Sequence, residues 1–387
     1  MNEASFMGYR RPDGSIGVRN HVLILPSIFC TDHVVSQIAA MVRGTVAVQH
    51  DHGCGQLGID IEQTERTLIG IGKNPNVAAV VVVGLGCEQL SAPYIAAKIA
   101  ESGKPTAHVV LQEDGGTLQT MAKGCRIAAE FVREASQLKR EPASLGALII
   151  GTQCGGSDAT SGMAANAALG VVSDRVIEAG GTALLTETSE FVGAEHLLVQ
   201  RAIDEKVAGQ IIKIVDIVEA RAEAMGVDWV GSQPSPGNVA GGLTTIEEKS
   251  LGAIYKGGST PVRAVIRYAE PPPTHGLVIM DTSSDDVASP VGMAAGGAQV
   301  ILFTTGRGTP VGLPICPVLK ITGNPRVAQA MAESIDFDAS PILKGMPLLE
   351  SGQRLFQELL QVVNGKLTYA EIFGFQDFSI DRLGPVL

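Results

Sequence analysis

Aromatic residues are scarce in this 387-residue chain, at 4 %, with a single tryptophan. Its cores must therefore be built from Ala, Val, Ile and Leu, which suits helices packed closely on a sheet. Positive charge is short as well. The formal net charge of −11 speaks against nucleic acid or an acidic membrane surface as a partner. No apolar run approaches the length that spans a bilayer, and the longest, such as Val77–Leu85, is strand-sized. The opening stretch MNEASFMGYRRPDG lacks a signal-peptide core. The six cysteines include no tight CxxC pair and read as thiols rather than a disulfide framework. Together these absences lead to the expectation of a cytoplasmic protein with no nucleic-acid or membrane partner.

What the chain does have is glycine, at 46 residues, and a 45 % hydrophobic content ample for large cores. Short apolar strands alternate with helical stretches. Strands are expected at His21–Pro26, Ala78–Gly84, Ala107–Leu111, Leu145–Gly151 and Thr182–Thr186. Helices are expected at Thr31–Arg43, Ser91–Glu101, Gly116–Gln137, Met163–Glu178 and through Ala194–Ala224. This alternation predicts an α/β fold of parallel sheets with crossover helices, in two or three domains. The rhythm breaks over residues 228–267, which read as a long, packed, glycine-rich loop. Pro271-Pro272-Pro273 then marks a stiff linker at 271–275. Beyond it, strands near Leu277–Asp281 and Gln299–Thr304 and helices near Val327–Ser334 and Glu350–Asn364 suggest a further α/β unit at 276–387. Upstream, the α/β region 1–270 is expected to divide into lobes at 8–140 and 141–230.

Three cysteines share a glycine-flanked setting: Cys54 in HDHGCGQLG, Cys87 in VVVGLGCEQ and Cys154 in LIIGTQCGGSD. The last two follow apolar strands, where open parallel sheets bind ligands. Three thiolates arriving from separate strands suit iron, zinc or an iron–sulfur cluster, although buried cysteine often only fills space. Cys30, Cys125 and Cys316 carry less. His50 and His52 bracket Asp51 beside Cys54, as proton carriers or as loop histidines bonded to backbone. GCGQLG formally matches GxGxxG, but the weak strand before it argues against a dinucleotide site.

Ser157 and Asp158, in GGSDATSG, offer either an anion-binding turn or a helix cap. ETSE, Glu187–Glu190, also follows a strand, and a carboxylate there, with Glu190 the named candidate, could be a base or a ligand, or belong to a helix-start acidic turn. Thr304, Thr305 and Arg307, in TTGRGTP, form a loop whose guanidinium suits a substrate carboxylate. Arg19 and Asn20 precede the first strand, as substrate contacts or as a structural turn. Lys249 is a further candidate from the long loop.

In order, GYRRPDGSIGVRN, HDHGCGQLG, GLGCE, GTQCGGSDATSG, SPGNVAGG with EEKSLG, and FTTGRGTP resemble the altronate/galactarate dehydratase family over nearly the whole chain, from about Gly8 onwards. The resemblance implies a metal-dependent hydro-lyase, using Fe²⁺ or Mn²⁺ or an iron–sulfur cluster, acting on sugar acids. It also implies a Rossmann-like C-terminal unit after the proline run. Members of the family commonly carry a small SAF-type domain before the first motif, so here either a separate small subunit supplies it or the enzyme works without it, and a homo-oligomer, a dimer, is expected. The sulfolactate sulfo-lyase large subunit belongs to the same superfamily. That branch is expected to lack cysteines at the positions of Cys54 and Cys87, which points this chain to the sugar-acid branch. The roles then implied are Cys54, Cys87 and Cys154 on the metal, and Arg307 with Thr305 on a carboxylate. His50 or His52 would be the base or acid, with Asp158, Glu190 and Lys249 as further candidates.

Overall fold

The β-branched apolar runs of the sequence form parallel strands, and the computed structural model describes residues 5–384. In chain order the strands are β1 (Ser5–Arg10), β2 (Ile16–Gly17), β3 (His21–Pro26), β4 (Thr45–Ala47), β5 (Val77–Gly84), β6 (Thr106–Val110) and β7 (Glu141–Ser144). They continue as β8 (Ile149–Gly155), β9 (Thr182–Leu185), β10 (Val262–Ile266), β11 (Gly276–Met280), β12 (Val300–Thr305), β13 (Val318–Thr322) and β14 (Phe337–Asp338). β1 pairs antiparallel with β2 and β7 in a small sheet. A four-stranded sheet, β4-β3-β5-β6, is wholly parallel. So is a seven-stranded sheet, β10-β11-β9-β8-β12-β13-β14. The expected α/β class with parallel sheets and crossover helices is the class observed. β5, VAAVVVVG, is buried at every position, as a strand covered on both faces must be.

Both parallel sheets are doubly wound. In the smaller one β3 lies between β4 and β5, and in the larger one β8 lies between β9 and β12. The chain reverses its direction of travel across each sheet at those central strands, which opens a crevice at their C-terminal ends.

The proline run does not separate sheets. Pro271–Pro273 lies between β10 and β11, which are parallel neighbours. An extended polyproline segment returns the chain to the start of the next strand without a helix. The change of sheet falls earlier, between β7 and β8, so β8 to β14 form one unit spanning the expected 271–275 linker. The long loop also holds more structure than its composition suggested. It contains the helix Ile246–Ala253 and the edge strand β10. Both are too short to impose a visible period on a glycine-rich stretch.

One apolar cluster joins the two parallel sheets, uniting Leu23, Leu25, Val80 and Val82 with Val278, Met280, Ile301 and Phe303. Polar side chains cross the same junction. The amide Nδ2 of Asn74 donates to Ala294 O (2.7 Å) and Ala298 O (2.9 Å), and that of Asn76 to Gln299 O (2.8 Å) and Ile315 O (2.9 Å). Among the described residues no helix is long and apolar enough to cross a membrane.

Candidate active site

The crevice between β8 and β12 holds a cavity of about 220 Å³, whose lining includes Cys154, Ser157, Glu190, Lys249, Asp286 and Arg307. They gather at the C-terminal edge of the seven-stranded sheet, Cys154 and Ser157 both from the end of β8. Cys154 ends β8, Glu190 follows β9, Asp286 follows β11 and Arg307 follows β12. Lys249 reaches in from the helix Ile246–Ala253.

Behind the cavity wall is a buried ionic cluster. The Cys154 thiol donates to Glu190 Oε2 at 2.7 Å. The Lys256 ammonium donates to Cys154 Sγ at 2.8 Å, to Glu190 Oε2 at 3.2 Å and to Glu187 Oε2. Lys249 Nζ lies 3.2 Å from Glu190 Oε1. Glu187 also accepts from the backbone N–H of Cys154 (2.9 Å) and from Gln153 Nε2 (2.8 Å). These bonds, with its own N–H donating to Thr282 Oγ1 at 3.0 Å, hold Glu187 in the left-handed region at φ 72°. Such a conformation costs a non-glycine residue about 1–3 kcal/mol, and persists only where the surroundings fix it.

Burial and the adjacent Glu190 push Glu187 up to about 8. Burial works against the charge of Glu190 too, but Lys256 and Lys249 outweigh it and hold that carboxyl below its usual range. The Cys154 thiol is pushed well up by burial and by the two glutamates, so it keeps its proton. Asp286 stands apart from this network. It accepts no hydrogen bond among the described residues, and burial together with Glu190 and Asp285 raises it to about 6. Gly155 makes room for it, since a Cβ there would lie 2.4 Å from an Asp286 carboxylate oxygen.

The predicted site residues separate into two groups. Cys154, Ser157, Glu190, Lys249 and Arg307 line the cavity, with Arg307 Nη1 donating to Gly237 O at 3.0 Å. The others hold the fold. Asp158 caps the next turn, accepting from Thr160 N (2.9 Å) and Ser161 N (3.1 Å), and its other oxygen accepts from Asn324 Nδ2 (2.8 Å). Thr304 Oγ1 donates to Asn166 Oδ1 (2.6 Å), and Thr305 Oγ1 accepts from Gly308 N (2.9 Å). Arg19 makes a bidentate pair with Glu371, at 2.6 and 2.9 Å, and Asn20 Nδ2 donates to Ala135 O at 2.8 Å.

His50 and His52 lie at the edge of the other parallel sheet, with their ring nitrogens engaged. His50 Nε2 pairs with Pro26 O (3.0 Å) and its Nδ1 accepts from His52 N (3.1 Å). Burial holds His50 neutral, down at about 4. His52 pairs with Ile380 O at 3.0 Å. Cys54 and Cys87 are exposed on that same four-stranded sheet, whereas Cys154 is buried in the seven-stranded one.

The expected three-cysteine ligand set is therefore not assembled. A different set is: Cys154, Glu187 and Glu190 bring three metal-capable atoms within 4.8 Å of one another. The Lys256 ammonium already contacts all three, so an internal cation satisfies the triad and a metal ion would have to displace it. Lys256 and Asp286 escaped the sequence reading, and Glu187 entered it only as part of ETSE. Asp286 had the same usable signal as that motif, an acidic residue beyond a strand end.

Two family profiles cover the chain. "D-galactarate dehydratase/Altronate hydrolase, second domain" matches residues 8–136, and "D-galactarate/Altronate dehydratase, C-terminal" matches residues 145–386. This chain belongs to the galactarate/altronate dehydratase family. The two matched regions meet where the structure changes sheet. A (2R)-sulfolactate sulfo-lyase subunit beta from Chromohalobacter salexigens is 40 % identical over 382 residues, covering 98 % of this chain and 97 % of the relative. An altronate dehydratase from Bacillus subtilis is 35 % identical over 395 residues, with 99 % and 78 % covered. A galactarate dehydratase (L-threo-forming) from Escherichia coli is 32 % identical over 395 residues, with 96 % and 75 % covered. These relatives are all lyases, and family membership makes this chain one.

Proposed function

We propose that this chain is a hydro-lyase that removes water from a hydroxylated sugar acid, such as altronate or galactarate, to leave a 2-keto-3-deoxy acid. The observation that carries the reading is one cavity faced by a carboxylate poised near neutrality, Asp286, and by two cations, Lys249 and Arg307. Elimination begins with loss of the C2 proton, which is only weakly acidic. Asp286, raised to about 6, takes it. Lys249 and Arg307 hold the substrate carboxylate and offset the enediolate charge that develops on it. The departing C3 hydroxyl needs a proton, drawn from the cluster of Cys154, Glu187, Glu190 and Lys256. That cluster reaches the cavity through Cys154 and Glu190. The enol then tautomerises to the keto acid.

The reading needs no Fe²⁺ or Mn²⁺ at the Cys154, Glu187 and Glu190 triad, because Lys256 supplies the positive charge there.

A second reading has its own support: elimination of sulfite from a sulfonated hydroxy acid. The sulfo-lyase subunit matches this chain end to end, at 97 % of its own length against 78 % for the Bacillus subtilis dehydratase. Sulfite departs without a proton, so this reaction uses the same base and carboxylate clamp but no acid. A relative named as a subunit also supports a partner subunit for this chain.

A keto-acid assay on the purified chain, with and without a small SAF-domain subunit, tests both readings. The first expects 2-keto-3-deoxy acid from altronate or galactarate. Sulfite release from sulfolactate with inert sugar acids would replace the first reading by the second, and no turnover of either class would overturn both.

A further inference from the structure

Two cavities lie side by side at the C-terminal edge of the seven-stranded sheet. The smaller, beyond β8 and β12, is the active site. The larger, about 500 Å³, lies beyond β9, β10 and β11 and takes no part in the elimination described above. Their walls are shared. Ser189 lines the larger cavity and the next residue, Glu190, lines the smaller, while Ser284 lines both. The hydroxyls of Ser189 and Ser284 are hydrogen-bonded to each other and form the divider. Ser284 is exposed, so the divider is open to solvent and a bound molecule can lie across it.

Arginine distinguishes the larger cavity. In a chain of net charge −11, Arg66, Arg221, Arg267 and Arg382 all line it. They arrive from the helices Ile59–Lys73 and Glu205–Ala224, the end of β10 and the C-terminal segment. Among the described residues Arg267 forms an ion pair, with Glu270 at 2.6 Å, and the other three form none. Arg66 is fixed by its Nε, which donates to Tyr268 O at 2.7 Å. Burial, and then the like charge of Arg267, hold its guanidinium below the usual range. The neighbouring aspartates are already engaged. Asp381 accepts from Ser283 N (3.1 Å) and Oγ (2.8 Å), and Asp281 from Thr188 Oγ1 (2.7 Å). Against three unpaired guanidiniums the lining sets one further carboxylate, Glu62. Guanidinium forks of this kind suit a carboxylate from outside the chain. Trp229, the single tryptophan, lines the same cavity and offers a flat apolar face to the C–H side of a polyol.

The smaller cavity cannot hold a second anion. Its two cations, Lys249 and Arg307, are committed to the reacting carboxylate, and its other charged groups are Glu190 and Asp286. Like charges there repel a further carboxylate. Asp286, at C2 of the substrate, stands two residues from Ser284, so the carbons beyond C2 lie beside the divider.

We propose that the larger cavity is the subsite for the far end of the substrate, and that the substrate is a diacid whose second carboxylate is held there by Arg221 and Arg382 beside Arg66. This rests on the reading above that the smaller cavity holds the reacting carboxylate. The Ser189 and Ser284 hydroxyls then face the hydroxyls of the sugar acid as it crosses.

The test is a binding titration of the full chain carrying Asp286→Asn, which prevents turnover, followed by the fluorescence of Trp229. Galactarate carries a carboxylate at each end and altronate at one end only. Galactarate should shift the fluorescence and bind about tenfold more tightly than altronate, the worth of a hydrogen-bonded charge. Adding Arg221→Gln and Arg382→Gln, singly and together, should weaken galactarate by about tenfold or more. Altronate should change by less than about twofold, which also shows that the variants are folded. Galactarate bound no more tightly than altronate, arginine variants that weaken neither acid or both equally, or no binding of either acid would each overturn the proposal. Turnover is measured separately, on wild type. Keto acid formed without any dependence of galactarate affinity on the arginines sinks the subsite and leaves the hydro-lyase reading standing. Arginine-dependent galactarate binding without keto acid sinks that reading and supports the subsite.

Discussion

At the residue scale, the active-site reading turns on two protons. Asp286 must be ionised to act as base, and burial holds it at about 6, so activity should fall as pH drops through that value. Glu187, raised to about 8, anchors the cluster that returns a proton, so activity should fall again as pH rises past it. We predict a bell-shaped profile of kcat/KM for dehydration, bounded near those two values. If sulfite is the leaving group, the alkaline limb should be missing. Asp286→Asn keeps the shape of the side chain and should lower kcat by about 10²–10⁴-fold, the usual worth of a general base. A variant within a factor of two of wild type would remove Asp286 from the mechanism. The ETSE carboxylates could be singled out from the sequence because polar residues beyond a strand end are informative, and Lys249 because it sits in the long packed loop. The part that Glu187 plays could not, because its left-handed backbone and its contact with Lys256 depend on β9 lying beside β8.

At the element scale, the helix Ile59–Lys73 is closed by a lysine remote in sequence. Lys104 Nζ donates to Lys73 O (2.6 Å), Asn74 O (2.5 Å) and Gly72 O (3.4 Å), satisfying carbonyls that the helix C-terminus leaves open. Burial lowers this ammonium to about 7. An unfolded lysine titrates at about 10.4, so between those values the unfolded chain binds the extra proton and stability rises with pH. Lys104→Met should cost about 1–3 kcal/mol at neutral pH and flatten that rise, as read from urea melts at several pH values. Equal stability of the variant and wild type across the series would refute the capping role. Long, periodic elements such as Thr117–Ala135 were legible in the sequence, whereas β10 and the helix Ile246–Ala253 were hidden by their shortness among glycines.

At the scale of the whole molecule, the apolar cluster shared by the two parallel sheets predicts that they unfold together. Calorimetry should give one transition with matching calorimetric and van't Hoff enthalpies. Two separable transitions, one for each family-profile region, would show that the interface is weaker than its core suggests. The sequence by itself determined the α/β class, the parallel sheets and the family, because apolar periodicity and ordered motifs are local properties carried along the chain. Only the tertiary structure decided which motifs meet. Cys54 and Cys87 sit in similar glycine-rich settings to Cys154, yet strand order sends them to a different sheet. Strand order also brings Glu187, Glu190 and Lys256 around Cys154 from segments up to 102 residues away. Pairing between distant strands leaves no period in the sequence, and so the active site had to be read from the fold.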